Sequence, residues 1–306
     1  MTLISACRYL YVSMQEIVVP ASEAAKKLEN FLKKEFPIGY VRKLFRKSAV
    51  RLNGKRAKPE DAIHADDRVQ LYIPFESQHA KGNPITTQPK LEIVYEDDAL
   101  LVLRKPAGLA VHEGKTVSRR DSVAGLIESK YRDRNLRPQL VHRLDKDTSG
   151  LLLLAKNAAA LAALESQFQS GQIAKQYLCL VIGRLPEDRA KIDFPLPGRD
   201  GKPVRAITRY QVIKRFGETT LVKVSLDTGR LHQIRLHFAK LGHPVVMDDQ
   251  HGDFNFNRQF RKSFGLKRQF LHAAELALTY AGRHHSWSAK MTEDLEATLR
   301  LLRKSG

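Results

Sequence analysis

Residues His142 to Lys156 read HRLDKDTSGLLLLAK, which sets one carboxylate, Asp145, between the cations Arg143 and Lys146 in a short loop closed by Gly150. A carboxylate in such a loop has two uses. It can close a turn or a surface ion pair, or it can act as a nucleophile toward an anionic substrate that the cations attract. Residue types alone favour the turn. Thr148, Ser149 and Gly150 supply turn chemistry, and the apolar run Leu151 to Ala155 has the pattern of a strand buried on both faces. Further along, Tyr177 lies mid-run in KQYLCLVIG and Arg235 lies in TGRLHQIRLH. By type, the first is as readily core as anything else, and the second, like Arg230, is first a phosphate contact. Asp147, Asp227 and Asp248 read as turn or cap residues.

Other catalytic patterns are missing from the sequence. No GxGxxG follows a strand and no GxxxxGK[ST], GxSxG or HExxH occurs, which removes the main support for oxidoreductase, P-loop, α/β-hydrolase and zincin chemistry. The 11 histidines suggest no metal set, since His232 and His237, five apart, fall on different faces of a helix. Neither a metal nor a nucleotide cofactor is expected. Two cysteines, Cys7 and Cys179, without a CxxC, support no disulfide framework and fit a reducing cytoplasm. No apolar run approaches the ~20 residues of a membrane helix. The first 14 residues carry one cation, Arg8, and make a poor secretory signal.

Charge points to the partner. Lys and Arg number 52 against 33 Asp and Glu, a net charge of +19, and cations in such excess gain affinity for a polyanion by releasing its counterions. Nucleic acid is the first candidate. The 306 residues, 42% hydrophobic, suffice for one large core or two domains.

The elements that must position these residues divide as an extension over 1–13, a small module over 14–75, a linker over 76–90 containing Gly82, Pro84 and Pro89, and a larger module over 91–306. In the small module, Ser22 is expected to cap a helix carrying Ala25, Leu28, Phe31 and Leu32, ending near Pro37. A second helix turns Val41, Leu44 and Phe45 inward and leaves Arg42, Lys43, Arg46 and Lys47 on its other face. A strand then enters an Asn53-Gly54 turn. Arg42 to Lys58 holds eight basic residues, Arg51 and Lys55 among them, and no acidic one, the pattern of a phosphate-facing stripe. In the larger module a hairpin flanks Glu96 to Asp98, a helix lies between Asn157 and Gly171, strands cover Gln176 to Ile182 and Leu221 to Leu226, a helix covers Leu231 to Leu241, and Thr292 caps a last helix. Strands and helices do not alternate regularly, so the expected fold is α+β, a mixed and largely antiparallel sheet flanked by helices.

Four strings, RKPAGLAVHEG (Arg104 to Gly114), the stretch from His142 to Lys156, KQYLCLVIG (Lys175 to Gly183) and TGRLHQIRLH (Thr228 to His237), agree in order and spacing with the RluA-type pseudouridine synthases. GHPVVMDDQHGD, Gly242 to Asp253, follows in the expected place. The small module, with VRLNGK and DDRVQLYIP, resembles the S4 RNA-binding domain, departing at Lys27-Leu28-Glu29 and Ser48. The likeness spans about residues 15 to 304. It implies an isomerase that needs no cofactor or metal and in which Asp145 attacks a flipped-out uridine. By the same likeness Arg143 fills the space the base leaves, Tyr177 stacks on the base and serves proton transfer at C5, and Arg235 grips Asp145 with two parallel hydrogen bonds. His142 and Arg230 are expected to contact RNA nearby, and Arg42, Lys43, Arg46, Lys47, Arg51 and Lys55 to do so in the S4-like module. Resemblance is strongest to members that modify 23S ribosomal RNA, so the expected partner is that RNA or the precursor large subunit, and the expected protein a cytoplasmic monomer. A transfer-RNA enzyme of the same family is the nearer alternative. A non-catalytic RNA-binding or ribosome-assembly factor is the other, and the intact Asp145, Tyr177 and Arg235 set argues against it.

Overall fold

The computed structural model describes residues 15–36, 41–42, 44–45, 48–71, 91–114, 117–134, 136–198 and 202–305. The expected extension, the 76–90 linker, Cys7, Lys43, Arg46 and Lys47 lie outside the described residues. The chain divides into two compact units, 1–80 and 81–306.

In the first unit β1 (Gln15–Val18), β2 (Val50–Leu52), β3 (Lys55–Arg56) and β4 (Arg68–Leu71) form an antiparallel sheet in the order β1-β4-β2-β3. Helix α1 (Leu28–Glu35) buries Leu28, Phe31 and Leu32, as the sequence period requires, and Val41 and Leu44 are buried on a following stretch of helical backbone. Asn53 and Gly54 turn the β2-β3 hairpin with φ of 51° and 80°, the two positive angles of a type I′ turn. The helix expected from Ser22 starts six residues later. Ala25 has φ of 64°, incompatible with a right-handed helix, because its amide instead donates to the Ile63 carbonyl at 2.7 Å and Lys27 bridges Ala62. Ser22 caps nothing and lies in a 3-10 turn.

The second unit opens with the hairpin β5 (Glu92–Glu96) and β6 (Leu100–Lys105), turned by Asp97, whose Oδ1 accepts from the amides of Ala99 and Leu100. It continues through α2 (Val123–Tyr131), β7 (Gln139–Leu140), β8 (Ser149–Ala155), α3 (Ala158–Gln169), β9 (Ala174–Ile182), β10 (Arg189–Ile192) and a minor pair, β11 (Leu196–Pro197) and β12 (Pro203–Val204). Then come β13 (Thr208–Arg215), β14 (Thr219–Leu226), α4 (Gln233–Lys240), α5 (Phe254–Phe264), β15 (Leu271–Tyr280), β16 (Arg283–Ser288) and α6 (Glu293–Ser305). The large sheet runs β10-β13-β14-β9-β15-β8-β6-β5, with β16 on β15 and β7 on β8. Its pairings are antiparallel except for a short parallel contact of β8 with β15, so the mixed, largely antiparallel α+β architecture is observed.

All seven residues of β8 are buried because both faces are covered. Leu152 and Leu154 face a core shared with Tyr177, Val222 and, from α2 and α4, Ile127 and Phe238. Leu151 and Leu153 face another, shared with Val102 and, from α3, Leu164. Each leucine buried in this way contributes about 1.5–3 kcal/mol. Helices α5 and α6 pack Phe260, Leu295 and Leu299 against Leu180 and Leu221. Asn157 caps α3 by accepting from the Ala160 amide at 2.8 Å, and Gly171 ends the segment at φ of 73°. Among the described residues no helix is long and apolar enough to cross a membrane.

Gly150 marks the point where β8 meets β15. It pairs with Ala273, has φ of 118°, and a Cβ there would lie 2.1 Å from the Ala273 carbonyl oxygen. The strands can approach only because this residue has no side chain. Gly150→Ala is predicted to lower the unfolding free energy by about 3 kcal/mol or more, read from the denaturant midpoint. An unchanged midpoint would refute the close-approach argument.

Candidate active site

The loop that carries Asp145 is held from several elements. From the end of β6, the wholly buried Lys105 donates through Nζ to the carbonyls of Pro106 at 2.8 Å, Leu109 at 2.8 Å and Lys146 at 2.9 Å. Burial pushes its pKa down to about 7. Three carbonyls around one nitrogen nevertheless call for three N–H groups, which the ammonium has and the neutral amine lacks. The Gly108 amide donates to the same Lys146 carbonyl at 2.9 Å. On the other side Arg268 donates to the Asp147 carbonyl at 3.1 Å and to Ser149 Oγ at 3.2 Å, and Gln269 donates to Thr148 Oγ1 at 2.7 Å. Arg268 is anchored in turn by Asp294 and Thr292 at the start of α6.

Asp145 is brought to Arg235, whose Nη1 donates to Asp145 Oδ2 at 3.0 Å. The two-pronged grip expected for this pair goes elsewhere. Arg235 Nε and Nη2 each donate to Asp248, to Oδ2 and Oδ1 at 2.7 Å, and Asp145 receives only the remaining nitrogen. The reason is burial. The Arg235 side chain is 4% exposed and that of Asp248 not at all, whereas Asp145 keeps 16% exposure, so the fork pairs with the carboxylate that has no water to fall back on. Asp248 is also the turn residue the sequence suggested, since Oδ1 accepts from the amides of Gln250 at 2.9 Å and His251 at 3.0 Å. Burial opposes its ionisation, but the hydrogen bonds and charge of Arg235 outweigh this and hold the carboxyl below the usual carboxylate range.

Tyr177 sits on β9 between Val224 of β14 and Ala273 of β15, and lines the same cleft as Asp145, Arg143, Arg230 and Leu271. Burial, reinforced by the charge of Asp145, raises the pKa of its phenol well above the ordinary value, so the hydroxyl keeps its proton. Arg143 and Arg230 are exposed at this cleft, and Arg230 also donates to the Arg205 carbonyl at 3.2 Å. His142, expected beside them, is turned the other way. Its Nε2 accepts from the Leu153 amide at 2.9 Å and its ring stacks on Phe168 of α3 at 4.9 Å, while burial pushes its pKa down to about 3. These partners of His142 could not be read from its place beside Arg143 in the sequence. Asp227 pairs with Arg209 at 3.0 Å on the surface.

Two residues of the cleft region carried no assignment in the sequence. His232 precedes α4 and places Nε2 3.7 Å from Asp145 Oδ1, and His251 lies behind it. Their strings, HQIR and DDQHGD, were the available signal, but nothing in the spacing said that the two would meet. Among the described residues no group of three or more His, Cys, Asp or Glu could hold a metal ion. A carboxylate tied at one oxygen by a buried guanidinium, part open to a cleft with an aromatic wall and two exposed arginines, can attack a planar, anion-linked substrate.

Asp248→Asn keeps the shape of the Arg235 grip and removes its charge. The variant is predicted to lose about 3 kcal/mol of unfolding free energy at neutral pH, since it leaves a buried guanidinium short of a counter-charge. In the native protein the share of stability due to Asp248 is complete above its ordinary pKa of 3.8 and is lost as pH falls through the lower folded value. The gap between native and variant should therefore narrow below about pH 4. A gap that stays constant down to pH 2 would contradict the charge argument.

A sequence profile for RNA pseudouridylate synthase matches residues 99–240. The chain is 38% identical to the Ribosomal large subunit pseudouridine synthase C of Escherichia coli (strain K12), over 96% of this chain and 98% of the relative. It is 36% identical to the protein of the same name from Vibrio vulnificus (strain CMCP6), over 95% and 98%. Among solved structures it is similar to Human RNA Pseudouridylate Synthase Domain Containing 4, with a TM-score of 0.60 and 25% identity over 69% of this chain and 93% of that one. Human RNA Pseudouridylate Synthase Domain Containing 1 gives 0.56 and 26% over 69% and 89%. Identity at this level, sustained over nearly the full length of both chains, means that the protein belongs to the RNA pseudouridylate synthase family and is an enzyme that isomerises uridine in RNA.

Proposed function

We propose that this enzyme converts specific uridines of 23S ribosomal RNA to pseudouridine, on the free RNA or the assembling large subunit, with Asp145 as the reacting carboxylate. The observation that carries the reading is the Asp145 side chain itself, partly exposed in the cleft while Arg235 holds one of its oxygens. The ribosomal substrate is supported by the names of relatives that match nearly end to end, and by the charge of +19.

Asp145 attacks the nucleoside and forms a covalent intermediate. The N1–C1′ bond breaks, the base turns, a C5–C1′ bond forms, the carboxylate is released, and the C5 proton is lost as N1 gains one. Arg235, itself immobilised by Asp248, sets the angle of attack. Tyr177, at the wall of the cleft, stacks on the base, and its hydroxyl serves the proton transfer at C5. Arg143, exposed at the cleft, fills the gap left by the flipped nucleotide. Residues 14–75 act as an S4-like RNA clamp, in which Arg42, Arg51, Lys55 and Arg56 are exposed and face phosphates. No membrane attachment and no cofactor enters this scheme, and the enzyme works in the cytoplasm as a monomer.

Asp145→Asn tests the chemistry. It should abolish tritium release from 5-tritiated uridine in ribosomal RNA while RNA affinity stays within about three-fold, since the shape is kept and the nucleophile lost. Substantial release would sink the assignment. Pseudouridine maps of cells lacking the protein identify the substrate, and loss of transfer-RNA sites in place of 23S sites would redirect it.

Replacing Arg42, Arg51 and Lys55 by Gln tests the clamp. Removal of up to three phosphate contacts should flatten the log-log salt dependence of RNA binding by about one to three units, with the rate at saturating RNA little changed. An unaltered slope and affinity would take the first unit out of RNA binding.

A further inference from the structure

His232 adopts a backbone that the helix after it does not need. Its φ of 52° and ψ of 24° lie in the left-handed region that residues other than glycine and asparagine rarely enter, and its side chain caps no amide of α4. The imidazole points instead at the cleft. Its Nε2 is 3.7 Å from Asp145 Oδ1, and its Nδ1 is 3.1 Å from Nε2 of His251. A carboxylate can only accept, so the favourable arrangement puts the His232 proton on Nε2 and leaves a lone pair on Nδ1, which takes the proton of His251 Nε2. Burial leads in keeping both rings neutral, with Arg235 acting in the same direction and Asp145 and Asp248 against it.

The turn that carries His251 also carries Asp248. It is closed tightly, since a Cβ on Gly252 would lie 2.1 Å from the Asp248 carbonyl oxygen. One turn therefore backs two side chains that converge on the same carboxylate: Asp248 fixes Arg235, which donates to Oδ2, and His251 fixes His232, which faces Oδ1. A strained residue persists where its surroundings over-determine it, and here what they determine is the direction of an imidazole.

We propose that His232, aligned by His251 and 3.7 Å from the Asp145 oxygen that Arg235 does not hold, is a positioning residue for the isomerisation, which orients the Asp145 carboxylate through the dipole of its imidazole. The proposal rests on the reading of Asp145 as the reacting group. Asn tolerates the left-handed backbone and keeps a polar side chain, so His232→Asn removes the imidazole with little other disturbance. Gln at position 251 can present a side-chain N–H where the imidazole Nε2–H lay, and Phe keeps the ring shape without a donor.

The test compares single-turnover rates on ribosomal RNA, RNA Kd and Tm for the full chain, its Asp145→Asn, His232→Asn, His251→Phe and His251→Gln variants. The expected result is a rate at least about ten-fold lower for His232→Asn and His251→Phe, with Kd and Tm close to the parent, and recovery of most of the rate in His251→Gln. A parental rate in His232→Asn overturns the proposal, and so do equal rates for Phe and Gln at position 251. Should His232→Asn not fold, the comparison at position 251 decides alone. Full activity of Asp145→Asn would overturn the nucleophile assignment itself, a failure that the rate ratios of the histidine variants cannot mimic.

Discussion

The second unit is organised around one buried guanidinium. Arg235 stands 3% exposed on the inner side of α4, where an ammonium or guanidinium without a counter-charge would cost several kcal/mol. Two carboxylates answer it, Asp248 with a fork of two bonds and Asp145 with one. The 248–252 turn must bring Asp248 under the helix and the loop after Arg143 must bring Asp145 to its side, so the requirement that this charge be paired ties together segments 90 residues apart. The site is thus assembled by the same interaction that makes it stable. Asp248 takes the stronger share, which leaves Asp145 held at one oxygen and only partly engaged, the arrangement that its proposed role as nucleophile calls for.

Rigidity around the loop follows the same economy. The Lys146 carbonyl is held by Lys105 and by the Gly108 amide, the Asp147 carbonyl by Arg268, and Thr148 by Gln269, so the residues flanking Asp145 have little freedom before any RNA arrives. A carboxylate placed in this way needs little reorganisation to meet a substrate. The close approach at Gly150 lets β8 and β15 meet directly behind the loop.

What the sequence made legible follows a physical pattern. Strand β8 was readable because burial on both faces leaves an uninterrupted apolar run, and α3 because a cap stands at each end. The first helix was misplaced because Ala25, an excellent helix former, continues the apolar period, while the contacts that override it come from Ala62 and Ile63, far along the chain. Helix α4 starts two residues after Leu231 because His232 is left-handed. Asp145, Tyr177 and Arg235 were singled out through family likeness, and that they line one cleft could not be read from spacing, since they lie on three separate elements. The partners of the His142 ring and of the Arg235 fork went unread for a common reason: a partner chosen by burial cannot be read from neighbours in sequence. Arg268 had no signal at all.

That arginine links two parts of the molecule that sequence keeps far apart. Its guanidinium reaches Ser149 and the Asp147 carbonyl, 119 and 121 residues back, and also grips Asp294 and Thr292 at the start of α6. Local opening of α6 would strip Arg268 of its acidic partner and loosen its hold on the loop. The helix and the Asp145 loop are therefore coupled, since opening of the first removes part of what anchors the arginine that holds the second. A helix that lines none of the cleft is in this way part of what holds the Asp145 loop in place.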